Sequence, residues 1–177
     1  ALFGLDQIHQ GRTTLLGREF RPRSPREAVG QGVGFVPEDR KGMGLMMNLG
    51  VRKNGTLSVI GRLSRSGFIR RKEESHRDAI IATQTKRKAA DPEERVSHLS
   101  GGNQQKVLLG RWLLVDSEVL FLDDPTRGVD VGAKEDIYVL IEELADRGKG
   151  VIMVSSELAE LLRCCDRILV MNRGKMA

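Results

Sequence analysis

The second half of the sequence alternates short apolar runs with amphipathic helical patterns, and this alternation limits the possible folds more than any other feature. The runs lack the polar–apolar alternation of half-exposed strands, so they are typical of strands buried on both faces of a sheet. They occupy residues 119–122, 150–154 and 167–171. Apolar residues recur at helical spacing between them, at Ile137, Leu140, Ile141 and Leu144 and at Leu158, Leu161, Leu162 and Cys165. This order predicts a doubly wound α/β sheet.

The first half follows a different pattern. Residues 24–27 combine an N-cap serine with proline and an acid, as at the start of a helix, and residues 32–37 indicate a strand ended by proline. Residues 13–18 indicate a strand and a turn, whereas residues 45–95 are polar, basic and helix-leaning. We therefore divide the chain into a partial N-terminal core at 1–44, an inserted helical subdomain at 45–98 and the remaining α/β core at 99–177.

Two carboxylates follow the apolar run at 119–122, at Asp123 and Asp124. The carboxyl edge of a parallel sheet is where open α/β folds bind ligands. Asp123 is suited to holding Mg²⁺, directly or through water, and Asp124 to positioning or deprotonating an attacking water. A strand followed by an Asp-Pro turn explains this motif alone equally well.

A second motif, Ser100-Gly101-Gly102, begins the helical pattern that continues through Leu109. Glycines let backbone N–H groups approach an anion without obstruction by a Cβ atom. The start of a helix directs its free N–H groups and positive dipole end at such an anion, and Ser100 adds a hydroxyl group. The motif is therefore compatible with a phosphate contact, but for these three residues alone an ordinary Ser-Gly-Gly turn that caps a helix is the favoured explanation.

The two motifs together are more informative than either alone, because the glycine-rich helix start lies about twenty residues before the strand that ends in Asp123. That order and spacing resemble the ABC ATPase family, in which a signature motif precedes the Walker B strand. Three further segments fall in register with family motifs: residues 34–40 with the Q-loop strand, 126–130 with the D-loop and 151–158 with the switch strand. The resemblance covers nearly the whole chain.

The resemblance implies a three-layer P-loop NTPase-type ABC cassette core, partial in this chain, with an inserted helical subdomain. It also implies ATP and Mg²⁺ as cofactors, with Asp123 as the Mg²⁺ ligand. The implied catalytic residues are Asp124, Ser156 and Glu38. The implied nucleotide contacts are Ser100, Gly101, Gly102, Gln104 and Asp130.

Three segments, at 36–41, 100–106 and 125–134, are similar in amino-acid sequence to the second cassette of tandem-cassette ATPases. Those ATPases power importers of ribose, galactose, xylose and similar monosaccharides. This implies a peripheral protein at the cytoplasmic face of the inner membrane, docked on an integral membrane permease and served indirectly by a periplasmic sugar-binding protein. Cassettes of the family pair head to tail. The signature of this chain is therefore expected to complete an ATP site that a second cassette holds.

The sequence departs from the family at four places. The Walker A loop, G-x-x-x-x-G-K-[ST], is absent, and we expect the chain to begin just after it, because residues 1–5 resemble the end of the helix that follows that loop. Asp124 stands where the family usually has Glu, Ser156 where it often has His, and Glu38 where many members have Gln. A shift of about 1 Å in a catalytic group lowers a rate by about a hundredfold, so we expect Asp124 to align water less well than Glu. We also expect weak nucleotide binding by this chain alone, with its main role as donor of the signature.

Two other functions remain open on the sequence alone. One is a soluble cassette ATPase acting on nucleic acid or ribosomes, although such proteins as a rule lack the amino-acid sequence found here at residues 127–132. The basic run at 62–72 contains a single aromatic residue, Phe68, which is a poor platform for stacking bases, so we expect no nucleic-acid partner. The other alternative is a fragment that binds partners without hydrolysing ATP.

Overall fold

The computed structural model describes residues 2–6, 8, 10–89 and 91–176, so the outer limits of the first and last predicted segments, Ala1 and Ala177, lie outside the described residues. The strands in chain order are β1 (Thr14–Leu15), β2 (Arg18–Glu19), β3 (Val33–Val36), β4 (Ser64–Arg65), β5 (Phe68–Ile69), β6 (Val119–Asp123), β7 (Gly150–Val154), β8 (Met171–Asn172) and β9 (Lys175–Met176). The α-helices are α1 (Pro25–Gly30), α2 (Val51–Thr56), α3 (Ile60–Leu63), α4 (Arg71–Gln84), α5 (Gly101–Val115), α6 (Val131–Asp146) and α7 (Leu158–Cys164). A π-helical turn spans Arg40–Gly44, and 3-10 turns span Leu57–Val59 and Val96–His98.

The centre of the fold is a parallel sheet in the order β3-β6-β7. Val33 pairs with Val119, and Leu120 pairs with Val151, so neighbouring strands run in the same direction and end at the same edge. A parallel connection needs a crossover, and α6 supplies it between β6 and β7. This architecture confirms the predicted α/β class and the predicted strands at 119–122 and 150–154.

The two faces of the sheet pack against different elements. Leu120 and Leu122 point to the face that α5 and α6 cover, where the main hydrophobic core lies. Val33 points to the opposite face and packs against Phe20, after the β1–β2 hairpin, and Ala28 of α1. The sheet therefore lies between two layers, and burial of these apolar side chains stabilises it by roughly 1.5–3 kcal/mol for each large residue.

The sheet is not covered evenly, in contrast to the expectation of strands buried on both faces. Ile152 and Val154 of β7 are 49% and 60% exposed, on the face opposite to α5 and α6. In α7, whose helical spacing was predicted, Leu158 and Leu162 are also exposed. The apolar pattern therefore predicted the type of these elements correctly, but it did not predict how deeply they are buried.

The predicted strand at 167–171 is wrong. Residues 167–170 have no regular structure, and Met171 begins the short β8 strand, which pairs with β9 rather than with the central sheet. Leu169 and Val170 are more than 60% exposed. An apolar run indicates a tendency to be buried, but a strand also needs a partner for its backbone N–H and C=O groups, and among the described residues no strand pairs with residues 167–170.

The start of the chain also differs from its prediction. Residues 2–5 form a turn and a bend instead of the end of a helix, and Ala1 lies outside the described residues. Gly4 has a φ of +75°, a left-handed conformation that a right-handed helix does not admit.

Residues 45–98 contain α2, α3 and α4, together with a β4–β5 hairpin that the sequence did not predict. α5 contacts α2 and α4 of this segment and also β3 of the sheet. It therefore joins this segment to the sheet, and the exact boundaries of the helical subdomain stay a prediction. Among the described residues, no helix is both long and apolar enough to cross a membrane.

Candidate functional site

The carboxyl edge of the sheet brings Asp124 and Ser156 together. Asp123 ends β6 and pairs in register with Val154, the last residue of β7, so the residues after both strands are neighbours. The Asp124 backbone N–H donates to the Val154 carbonyl at 2.8 Å. The backbone N–H and the hydroxyl of Ser156 both donate to Asp124 Oδ1, at 2.7 and 3.0 Å. Two of the three predicted catalytic residues therefore share a direct contact.

Asp124 adopts a backbone conformation that few residues other than glycine adopt. Its φ is +42°, in the left-handed region, where a non-glycine residue is uncommon and needs support from its surroundings. The three hydrogen bonds to β7 and Ser156 provide that support. They fix the carboxylate at the sheet edge while the chain turns sharply toward Pro125.

Asp123 is half-buried beside this pair. Burial, together with the neighbouring charge of Asp124, holds the pKa of Asp123 above its ordinary value. Among the described residues, no cluster of three or more His, Cys, Asp or Glu side chains could hold a metal ion by itself. Mg²⁺ usually keeps several waters and takes only one or two carboxylates with substrate phosphates, so the edge carboxylates fit that limited share of ligands.

The glycine-rich motif begins α5 as expected. The Ser100 hydroxyl caps the helix, accepting from the backbone N–H of Asn103 at 3.5 Å and from its Nδ2 at 3.1 Å. A Cβ atom at Gly101 would lie 2.8 Å from the Gly128 carbonyl oxygen, and one at Gly102 would lie 2.3 Å from the Ala133 Cβ. Contacts within the chain therefore require both glycines, whether or not an anion approaches them.

A guanidinium group that the sequence did not single out, that of Arg40, ties the start of α5 to the loop after β6. Arg40 donates from Nε to Gln104 Oε1 at 3.3 Å and from Nη2 to the Gly128 carbonyl at 3.1 Å. Its Nη1 donates to the Arg127 carbonyl. Partial burial lowers the pKa of Arg40, an effect that the charge of Asp39 opposes, but an arginine stays protonated.

Glu38 lies on the same side of the molecule and forms an ion pair with Arg127. The two side chains flank an open cleft of about 400 Å³, which residues 38–41 and Gly128 also line. Glu38 forms its ion pair with Arg127 of the loop after β6, and among the described residues no hydrogen bond or ion pair joins it to Asp124 or Ser156.

Among protein-family models, the one described as ABC transporter matches residues 1–127 of this chain. The chain belongs to the ABC transporter family.

Curated relatives of this chain include ribose import ATP-binding proteins from two bacteria. The one from Chelativorans sp. (strain BNC1) is 46% identical over 176 residues, which is 99% of this chain and 35% of the relative. The one from Bacillus subtilis (strain 168) is 44% identical over 177 residues, which is 100% of this chain and 36% of the relative. The chain thus spans about a third of the length of the relatives that it matches.

Solved ABC cassettes share the fold. A dimeric cassette in a post-hydrolysis state, bound to ADP and Pi, superimposes with a TM-score of 0.80 at 22% identity, covering 98% of this chain and 74% of that chain. A nucleotide-free cassette from an ABC transporter gives a TM-score of 0.79 at 20% identity, covering 99% and 71%. These likenesses confirm the P-loop NTPase-type cassette fold that the motifs implied.

Two predicted nucleotide contacts of the ABC chain also have structural roles. Gln104 is buried, and its Nε2 donates to the carbonyls of Val96 and Leu99 at 3.2 and 3.1 Å. Asp130 caps the N-terminus of α6, accepting from the Ala133 backbone N–H at 3.0 Å. Their contact with nucleotide stays a prediction, as it does for the exposed Ser100.

Proposed function

We propose that this chain forms part of the ATP-hydrolysing subunit of an ABC importer for monosaccharides. The observation that carries the proposal is the contact of Asp124 with Ser156, beside Asp123, at the carboxyl edge of the parallel sheet. The sugar specificity is supported by the relatives, which are named as ribose import proteins and are 44–46% identical to this chain over the 176–177 residues that align, nearly the whole of this chain.

The edge residues suggest a division of work. Bound Mg²⁺ neutralises charge on the phosphates of ATP, and Asp123 is the carboxylate that would hold it. Ser156 donates both of its hydrogen bonds to Oδ1 of Asp124. We therefore assign Oδ2 of Asp124 as the oxygen that orients an attacking water and accepts its proton.

The signature residues act on a different ATP molecule in this proposal. Ser100 is exposed at the start of a helix of 15 residues, where free N–H groups and the helix dipole favour phosphate oxygens. A second cassette, paired head to tail, would hold that ATP. The other partners are an integral membrane permease and, indirectly, a periplasmic sugar-binding protein, which places the chain at the cytoplasmic face of the inner membrane.

The test uses the complete gene product with its permease in vesicles, measuring Mg²⁺-dependent ATP hydrolysis and uptake of labelled ribose. We expect Ser100→Arg to abolish both activities, because a long cation would fill the space for phosphate at the helix start. Ser97→Ala, at an exposed serine in the preceding turn, is the matched control and should keep both activities.

Each result has a clear meaning. Normal hydrolysis by Ser100→Arg would reject the role of the signature. Lack of hydrolysis by the unaltered protein would reject the ATPase. Hydrolysis that responds to nucleic acid or ribosomes but not to sugar would favour the other class of cassette protein.

A further inference from the structure

Glu160 is a buried carboxylate that the proposed chemistry does not use. It lies on α7 and is only 3% exposed, although Leu158 and Leu162 of the same helix are largely exposed. A buried acid is rare unless other groups satisfy it, so its partners explain its presence.

Four side chains donate hydrogen bonds to this carboxylate. Its Oε1 accepts from Lys134 Nζ at 3.1 Å, from the Tyr138 hydroxyl at 2.9 Å and from the Thr126 hydroxyl. Its Oε2 accepts from the Ser155 hydroxyl at 2.8 Å. Three different parts of the chain therefore meet at one side chain: the loop after β6, the segment that follows β7, and α6.

The carboxylate is held in its ionised form. Burial raises the pKa of Glu160, but the hydrogen bonds from Thr126, Ser155, Tyr138 and Lys134 outweigh burial and leave the pKa below its ordinary value. An ionised carboxylate only accepts hydrogen bonds. The hydroxyl groups of Thr126 and Ser155 are therefore both oriented as donors to Glu160.

Two of these donors lie next to the reacting groups in the chain. Thr126 is two residues after Asp124 in the same loop, and Ser155 directly precedes Ser156. Ser156 in turn donates to Asp124. The two chain segments are therefore joined at two points. Glu160 joins them through Thr126 and Ser155, and the Asp124–Ser156 contact joins them directly.

We propose that Glu160 is a positioning residue for ATP hydrolysis, which fixes Asp124 relative to Ser156 through the hydroxyl groups of Thr126 and Ser155. The inference rests on the proposed function of the edge residues. Glu160 forms no hydrogen bond with Asp124 or Ser156, so its effect depends on the hydrogen bonds from Thr126 and Ser155. A displacement of about 1 Å at Asp124 is enough to lower the rate of the chemical step by about a hundredfold.

The other two donors to Glu160 provide the controls. Tyr138 and Lys134 both lie on α6, a helix that contains no residue of the proposed site. Tyr138→Phe removes one hydrogen bond from the same oxygen that Thr126 contacts, while the ring stays in place. A purely structural role for Glu160 would make the loss of this bond as harmful to hydrolysis as the loss of the Thr126 bond.

The experiment measures kcat and KM for ATP, together with the thermal midpoint, for the complete gene product with its permease. We expect Thr126→Val and Ser155→Ala each to lower kcat by about tenfold with KM changed less than twofold, and Glu160→Gln to lower kcat by ten- to a hundredfold. Thr126→Ser keeps the hydroxyl and should restore kcat to within about twofold of the unaltered protein. Tyr138→Phe should keep kcat within twofold even where its thermal midpoint falls.

Two results would overturn the inference. One is a kcat for Thr126→Val and Ser155→Ala that equals that of the unaltered protein. The other is a loss of kcat in Tyr138→Phe as large as that in Thr126→Val, since the carboxylate would then act only as an anchor for packing. Because all of these comparisons need hydrolysis by the unaltered protein, its failure to hydrolyse ATP would reject the proposed function itself and be seen before any variant is tested.

Discussion

The guanidinium of Arg40 donates a hydrogen bond of 3.1 Å to the carbonyl of Gly128, 88 residues further along the chain. The same group reaches the buried amide of Gln104 at the start of α5. Glu38, two residues before Arg40, pairs with Arg127 in that loop. The segment after β3 and the loop after β6 are therefore joined directly, and both lie against the start of α5.

Replacement of this guanidinium should reduce stability. Arg40→Met leaves the buried Oε1 of Gln104 and two loop carbonyls without their donor. A buried acceptor left unsatisfied costs about 1–3 kcal/mol, and we expect a loss of free energy of unfolding in that range from Gln104, because the two loop carbonyls belong to exposed residues and can bond water instead. Urea unfolding measures it, with Lys41→Met at the neighbouring exposed cation as control. Equal stability of the two variants would show that the Arg40 bonds contribute nothing.

A Cβ atom at Gly102 should be harmful because of Ala133. The two Cβ atoms would lie 2.3 Å apart, so Gly102→Ala forces α5 and α6 apart, and overpacking of this kind costs about 1–3 kcal/mol. Ala133→Gly alone costs up to about 1 kcal/mol through helix propensity. In the double variant the clash is absent, so we expect its urea midpoint to lie above that of Gly102→Ala. A midpoint at or below that of Gly102→Ala would contradict crowding as the cause.

The sequence predicted the elements that follow from local pattern. The strands at 119–122 and 150–154 were recognisable as uninterrupted apolar runs, and parallel pairing then required Asp124 and Ser156 to meet at one edge. The helix starts at Ser24 and Ser100 were visible from their capping residues, and both serines accept from the backbone N–H three residues later.

The predictions that failed, and the residues that were missed, concern interactions with other parts of the chain. The run at 167–171 has the composition of a strand, but pairing depends on which edge is available, and composition does not contain that information. Likewise, Arg40 and Glu160 have no local motif around them that distinguishes them from surface charges. Their importance arises from acceptors and donors that lie between 5 and 88 residues away, which only the folded chain brings together.

The ion pair between Lys106 and Asp136 should make stability depend on pH. Lys106 is buried on α5, and its Nζ donates to Asp136 Oδ2 at 2.7 Å and to the Lys86 carbonyl at 3.2 Å. The hydrogen bond from Lys106 is the main reason why the pKa of Asp136 lies below its ordinary value of 3.8. A carboxylate whose pKa is lowered by folding stabilises the protein above its unfolded pKa, and this contribution is lost as the pH falls through the folded value.

Asp136→Asn therefore should be less stable than the unaltered protein at pH 7, and the difference should shrink as the pH falls below 3.8. Urea midpoints at a series of pH values measure this. Glu135→Gln, on the same helix as Asp136, loses an exposed ion pair with Arg163 of α7 and should change stability by no more than about 1 kcal/mol. A difference between Asp136→Asn and the unaltered protein that stays constant with pH would exclude the ion pair as its source.

The contact between Asp124 and Ser156 predicts how far hydrolysis depends on each group. Asp124→Asn removes the proton acceptor and should lower kcat by at least a hundredfold, the size of a lost general base. Ser156→Ala removes only the hydroxyl bond of 3.0 Å, while the backbone N–H still holds Oδ1 at 2.7 Å, so we expect a loss of about three- to tenfold. Steady-state kinetics of the complete gene product measures both, with Ser97→Ala as control. A larger loss in Ser156→Ala than in Asp124→Asn would reverse the assignment, because the serine hydroxyl would then be acting in its own right.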